Sequence, residues 1–214
     1  MSKSRVALAL AVVVGMSAAT ALADFTVISM PDAAYLASTT KLPIVGSDYT
    51  YVTSLSDPDL TVTFSHRLEI RTVPGSWATW SSPPWSESGT PRVLFDSDQP
   101  GTTVILDLST PAKTFGLEME PNAFQVYTMR ADFYDGATLV GSISRSVDGM
   151  AGARLFAGAT TSDKFTHVVV TTDPGAMGYA IAQLRYGELI PEPATLLLLG
   201  SGLVGAFVYR RRRK

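Results

Sequence analysis

The chain of 214 residues carries 17 lysines and arginines against 19 aspartates and glutamates, a formal net charge of −2, and has no cysteine. The absent thiol excludes disulfides, a lipid-modified amino-terminal cysteine, thiol catalysis and cysteine metal sites. A chain without basic excess is a poor partner for phosphate backbones, so no nucleic-acid role is expected.

The amino end opens with Lys3 and Arg5, continues through an apolar stretch from Val6 to Met16 and reaches small residues at Ala21-Leu22-Ala23. That layout predicts a secretory signal peptide over 1–23, cleaved between Ala23 and Asp24, rather than a retained membrane helix. The body that follows, 24–190, holds 10 cations and 18 anions, a net of −8. At about 167 residues it is long enough for one domain with a core that needs no staples.

From Asp24 to Thr72 short segments rich in branched and aromatic residues predict strands at Phe25 to Ile28, Tyr49 to Leu55 and Leu60 to Ile70. Asp57-Pro58-Asp59 reads as a turn between two of them. No window holds a helical period for three turns.

The segment from Pro74 to Pro91 is rich in proline, serine and glycine and holds all three tryptophans, Trp77, Trp80 and Trp85. Two readings stand side by side. The indoles either stack on sugar rings from an exposed loop, or pin that loop to the fold by burying their large surfaces.

Beyond Arg92 the strand pattern strengthens, with segments at Val93 to Phe95, Thr103 to Leu108, Thr114 to Glu120, Phe124 to Tyr134, Thr138 to Val147, Arg154 to Gly158, Phe165 to Thr172 and Tyr179 to Tyr186. Turn residues such as Ser109-Thr110-Pro111, Asp135-Gly136 and Asp173-Pro174-Gly175 separate them. Short, evenly spaced strands with alternating apolar residues predict an all-β, antiparallel sandwich or barrel.

The chemistry-bearing residues are sparse. His66 and His167 lie a hundred positions apart in strand-like segments, without partners placed by spacing. No glycine-rich phosphate loop, His-Glu-x-x-His or Gly-x-Ser-x-Gly occurs, so no catalytic residue is named and no enzyme is expected. Asp57 with Asp59, Asp96 with Asp98, and Asp132 with Asp135 offer hard oxygens that suit Ca²⁺, yet aspartate is also a common turn former. No cofactor is otherwise expected.

The carboxyl end is the most specific stretch. Pro191-Glu192-Pro193 precedes an uncharged run from Ala194 to Tyr209, closed by Arg210, Arg211, Arg212, Arg213 and Lys214. As a helix the run of about 16 residues reaches ~24 Å, a short span of a ~30 Å hydrocarbon core. The five cations act as a cytoplasmic stop, which places the body on the other side. The prolines hold an extended, exposed peptide at the membrane face.

These residues resemble a PEP-CTERM sorting signal, recognised by exosortases in Gram-negative, exopolysaccharide-forming bacteria. The resemblance implies an exported exosortase substrate: membrane-held through the short transmembrane helix within a sorting signal over 191–214, then released or transferred to the cell surface or extracellular matrix. A second resemblance covers about 90 residues of the body. Ser109-Thr110-Pro111 with Phe115-Gly116, Phe133-Tyr134-Asp135-Gly136, Phe165 with Val168 to Val170, and Gly178-Tyr179-Ala180-Ile181 with Tyr186-Gly187 are similar to an exported domain on a jelly-roll frame. The chain departs from it at Ala182 and Gln183, where relatives carry acidic residues.

Together these imply a non-enzymatic surface or matrix protein associated with exopolysaccharide and biofilm. The alternatives are a carbohydrate-binding module using the tryptophan loop and a glycan-active hydrolase.

Overall fold

The computed structural model describes residues 24–96 and 103–190. The segments expected to form the signal peptide (1–23) and the sorting signal (191–214) lie outside the described residues. Among the described residues no helix is long and apolar enough to cross a membrane.

The domain is built of antiparallel strands: β1 Phe25–Ile28, β2 Thr40–Lys41, β3 Tyr51–Ser56, β4 Thr61–Thr72, β5 Arg92–Phe95, β6 Thr103–Pro121, β7 Val126–Asp135, β8 Thr138–Asp148, β9 Arg154–Thr160, β10 Phe165–Thr172 and β11 Tyr179–Leu189. Among the described residues a short α-helix, α1 Ala33–Ser38, and a single 3-10 turn, Pro174–Ala176, interrupt them. The sequence pattern does not foreshadow α1, because six residues are too few to show a period. Its start is fixed by Asp32, whose side chain accepts the Tyr35 N–H at 2.9 Å.

β6 organises the topology. Its first half pairs with β10 and β4, and its second half with β11 and β9. β4 changes partner in the same way, leaving β6 at Phe64 and joining β5 from Glu69 onward. Since β5 also pairs with β11, the ladder β4–β5–β11–β6 closes on itself. The path continues through β10, β7 and β8 on one side, and β9 and β1 on the other. A single apolar cluster draws on both strand sets, from Val62, Leu106, Phe133 and Val168 to Phe115, Leu117, Phe156 and Ile181.

The expected turn at Ser109-Thr110-Pro111 is corrected here, for β6 runs unbroken through it. Proline donates no backbone N–H, so it breaks a ladder only where a bond is due. Pro111 stands between the two partner sets, where β10 slips register. Its carbonyl is used instead, accepting the Ile190 N–H at 2.7 Å.

Candidate functional site

The outer face of β5, the second half of β6 and β11 is where the tryptophan loop comes to rest. Alternation along β6 sends Leu117 and Met119 into the core and Glu118 and Glu120 to the other side, yet all four are fully buried. β11 does the same, with Tyr179 and Ile181 inward and Ala180 and Ala182 outward. The alanines make a shallow floor. On it the loop packs Val73, Trp77 and Trp80 together with Val93 and Ala153.

An indole brings an N–H donor into that dry layer and needs an acceptor. The two glutamates supply it. Trp77 Nε1 donates to Glu120 Oε2 at 2.8 Å and Trp80 Nε1 to Glu118 Oε2 at 2.9 Å. Glu118 also accepts from the Ser86 hydroxyl and from the Glu87 N–H at 2.7 Å. Glu120 also accepts from the Gly152 N–H at 3.1 Å and the Thr79 hydroxyl at 3.4 Å. The base of the loop closes through Val73 N–H to Pro91 O at 3.1 Å.

Trp77 and Trp80 are thus corrected as sugar-stacking candidates. At 7% and 4% exposure they have no free face, and they pin the loop instead. Trp85 differs, at 48% exposed, with the Arg154 guanidinium 4.9 Å from its ring centre. Glu118 and Glu120 were not singled out from the sequence. The signal was there: two acids on the outward face of a strand, in a chain whose three indoles all lie in one loop.

Burial pushes the Glu118 carboxyl upward against the donors from Ser86, Trp80 and Glu87. Glu120 is raised by burial to about 7, despite the Trp77 indole and the Gly152 N–H. Between the ordinary glutamate value of 4.5 and about 7, the folded chain therefore keeps a proton that the unfolded chain has lost. The stability this brings is complete below the lower value and is lost as pH rises through the upper one. The melting temperature is expected to fall across that window, and Glu120→Gln to flatten the fall. Parallel melting-against-pH curves for wild type and variant would contradict this.

Nearby, Glu87 is gripped by Arg185, with Nε at 2.8 Å and Nη2 at 3.2 Å, and by Lys41 at 3.1 Å. Burial alone would raise its carboxyl, but the bonds from Arg185 and Lys41 prevail and hold it low. Gln183, at the expected acidic position, accepts a hydrogen bond from Lys41 and sits at a φ of 54°, where β11 bulges against β6.

The remaining sequence candidates are dispersed. His66 lies 3.1 Å from Asp96, and His167 stacks on Tyr134 with ring centres 4.8 Å apart. Asp57 caps its own turn through the Asp59 and Leu60 N–H groups and accepts the Tyr186 hydroxyl at 2.7 Å. Asp132 is taken by Arg130 and Ser142. Among the described residues, no three carboxylate or histidine side chains gather where they could hold a metal ion. Asp24 is in place beside Thr161, and Pro191, Glu192, Pro193 and 210–214 lie outside the described residues.

An antiparallel all-β domain followed directly by a proline-flanked, apolar and basic tail defines a class: a folded cargo carrying its own sorting peptide. The tail is a PEP-CTERM protein-sorting motif, matched by that family's model at residues 189–213, which marks an exported chain targeted by exosortase. No curated protein matches the sequence. Among solved structures, CBM29_1, a family 29 carbohydrate-binding module from Piromyces equi, is similar over 70% of this chain and 90% of its own. The identity is 11% and the TM-score 0.32, a likeness too loose to carry functional weight.

Proposed function

We propose that this chain is an exported, non-enzymatic surface or extracellular-matrix protein associated with exopolysaccharide. Its body is a jelly-roll-like sandwich delivered by the signal peptide. The C-terminal helix holds it at the inner membrane of a Gram-negative bacterium until exosortase acts near Pro191-Glu192-Pro193. The observation that carries this is the sorting motif matched at residues 189–213, which begins where the last described strand, β11, ends at Leu189. Ile190, the residue before the triplet, is still tied to the domain, donating its N–H to Pro111 O at 2.7 Å. Processing just beyond it leaves every described strand intact.

The non-enzymatic reading is supported by the state of the best acids. Glu118 and Glu120 are fully buried, with their oxygens taken up by protein donors, so neither is open to a glycan. A carbohydrate-binding module remains the second reading, now resting on Trp85 alone among the tryptophans.

Mass spectrometry of both termini of the protein stripped from its native surface tests the proposal. The expected ends are Asp24 and a residue close to Pro191. Lys214 on surface-extracted protein would mean a plain tail anchor. A cytosolic chain with Met1 and Lys214 both in place would overturn the reading.

A further inference from the structure

The body is strongly acidic, and at least five of its ten cations are paired. Lys41, Arg71, Lys113, Arg130 and Arg185 each lie on a carboxylate. Arg145 and Arg154 form no ion pair among the described residues. Arg145, on β8, turns its guanidinium toward the Phe156 ring at 5.8 Å, and its Nε and Nη2 are buried with no hydrogen-bond partner among the described residues. Arg154, on β9, spends one nitrogen on the Gly152 and Ala153 carbonyls, at 2.8 and 2.9 Å, and lays its plane by Trp85.

Both arginines line one cleft of about 210 Å³, together with Trp85, Met30, Ser29 and Ser146. Its lining joins two cations, two hydroxyls and the one exposed indole of the described residues, with no carboxylate. Two like charges held together without an anion are costly, and a buried donor without an acceptor adds to that cost. Burial and the Arg154 charge accordingly press the Arg145 guanidinium below its usual range. An incoming anion relieves both.

We infer that the Trp85, Arg145 and Arg154 cleft binds a carboxylate-bearing sugar residue of an acidic polysaccharide. A guanidinium fork matches a planar carboxylate, and an indole face matches the apolar face of a pyranose ring. The volume suits one sugar residue rather than a long groove. The site gives the proposed exopolysaccharide association its chemistry and so rests on that reading, though its test is separate.

The full chain, purified in detergent, is run through gels cast with polygalacturonate or with its methyl ester. Retardation is expected in the acid form, weakening with added salt, and at least roughly tenfold weaker binding to the neutral ester, as loss of a charged pair implies. Trp85→Ala and Arg145→Gln should each weaken binding to polygalacturonate by about tenfold or more. Trp85 is exposed, so its variant decides the matter should Arg145→Gln melt early. Equal retardation by acid and ester, or wild-type binding by Trp85→Ala, overturns the site. That failure leaves the terminal analysis above untouched, and a cytosolic chain would sink the surface reading whatever the cleft binds.

Discussion

Replacing Glu118 with alanine is expected to cost this domain about 3–5 kcal/mol. The variant leaves the Trp80 indole, the Ser86 hydroxyl and the Glu87 N–H without their shared acceptor. Each orphaned buried donor costs ~1–3 kcal/mol, tempered where the loop can open to water. The cost falls on one structure, because all three donors belong to the loop between β4 and β5. At ~2–4 °C per kcal/mol for a domain of this size, the melting temperature should drop by about 6–20 °C. Fluorescence separates this from a general loss of packing: emission should shift to the red as Trp80 meets water, while Glu118→Gln, which keeps one acceptor oxygen, falls between. An alanine variant that melts with wild type and keeps its emission would show that the glutamate is not what fastens the loop.

Most of the strands were readable because their period is two and turns mark their ends. β1 and β10 coincide with the predicted Phe25 to Ile28 and Phe165 to Thr172. The alternation through Met129, Ala131 and Phe133 correctly gives the buried face of β7, while Phe124 and Val126 fall on the opposite parity, with Thr128 and Arg130, and stand in solvent. Ser109-Thr110-Pro111 misled because proline marks a missing donor, which is a strand end only if the neighbour needs that bond. The site was less legible. Whether an indole stacks on a ligand or on its own protein depends on what lies beneath it. Here that is Ala180, Ala182, Glu118 and Glu120, from two strands distant in sequence from the loop. The small residues of Tyr179-Ala180-Ile181-Ala182 are a weak hint that something flat must lie on the outer face of β11.

The amino-terminal strand should prove as consequential as the loop. Phe25 sits with its ring among Phe133 and Phe165, centres 5.3 and 6.1 Å away, so it ties β1 to β7 and β10 across the core. It fits only because two glycines face it. A Cβ on Gly141 of β8 would stand 2.1 Å from Phe25 Cγ, and one on Gly158 of β9 would stand 2.3 Å from its Cε2. A ring walled in by two strands and two other rings has little room to yield, so Gly141→Ala should cost ~1–3 kcal/mol, and Phe25→Ala about 3 kcal/mol. The combination is the sharper measurement. Once the ring is gone the alanine methyl has space, so the double variant should be no less stable than Phe25→Ala alone, a coupling that independent sites do not show. Strictly additive losses would mean that the glycine is not there for the ring. Under the proposed cleavage between Ala23 and Asp24, Phe25 would be the second residue of the exported chain. A cut two residues later would remove the wedge, unzip β1 from β9 and leave an open strand edge, a template for aggregation. On the proposal that the amino-terminal segment is removed, the fold would tolerate little error in where the cut falls.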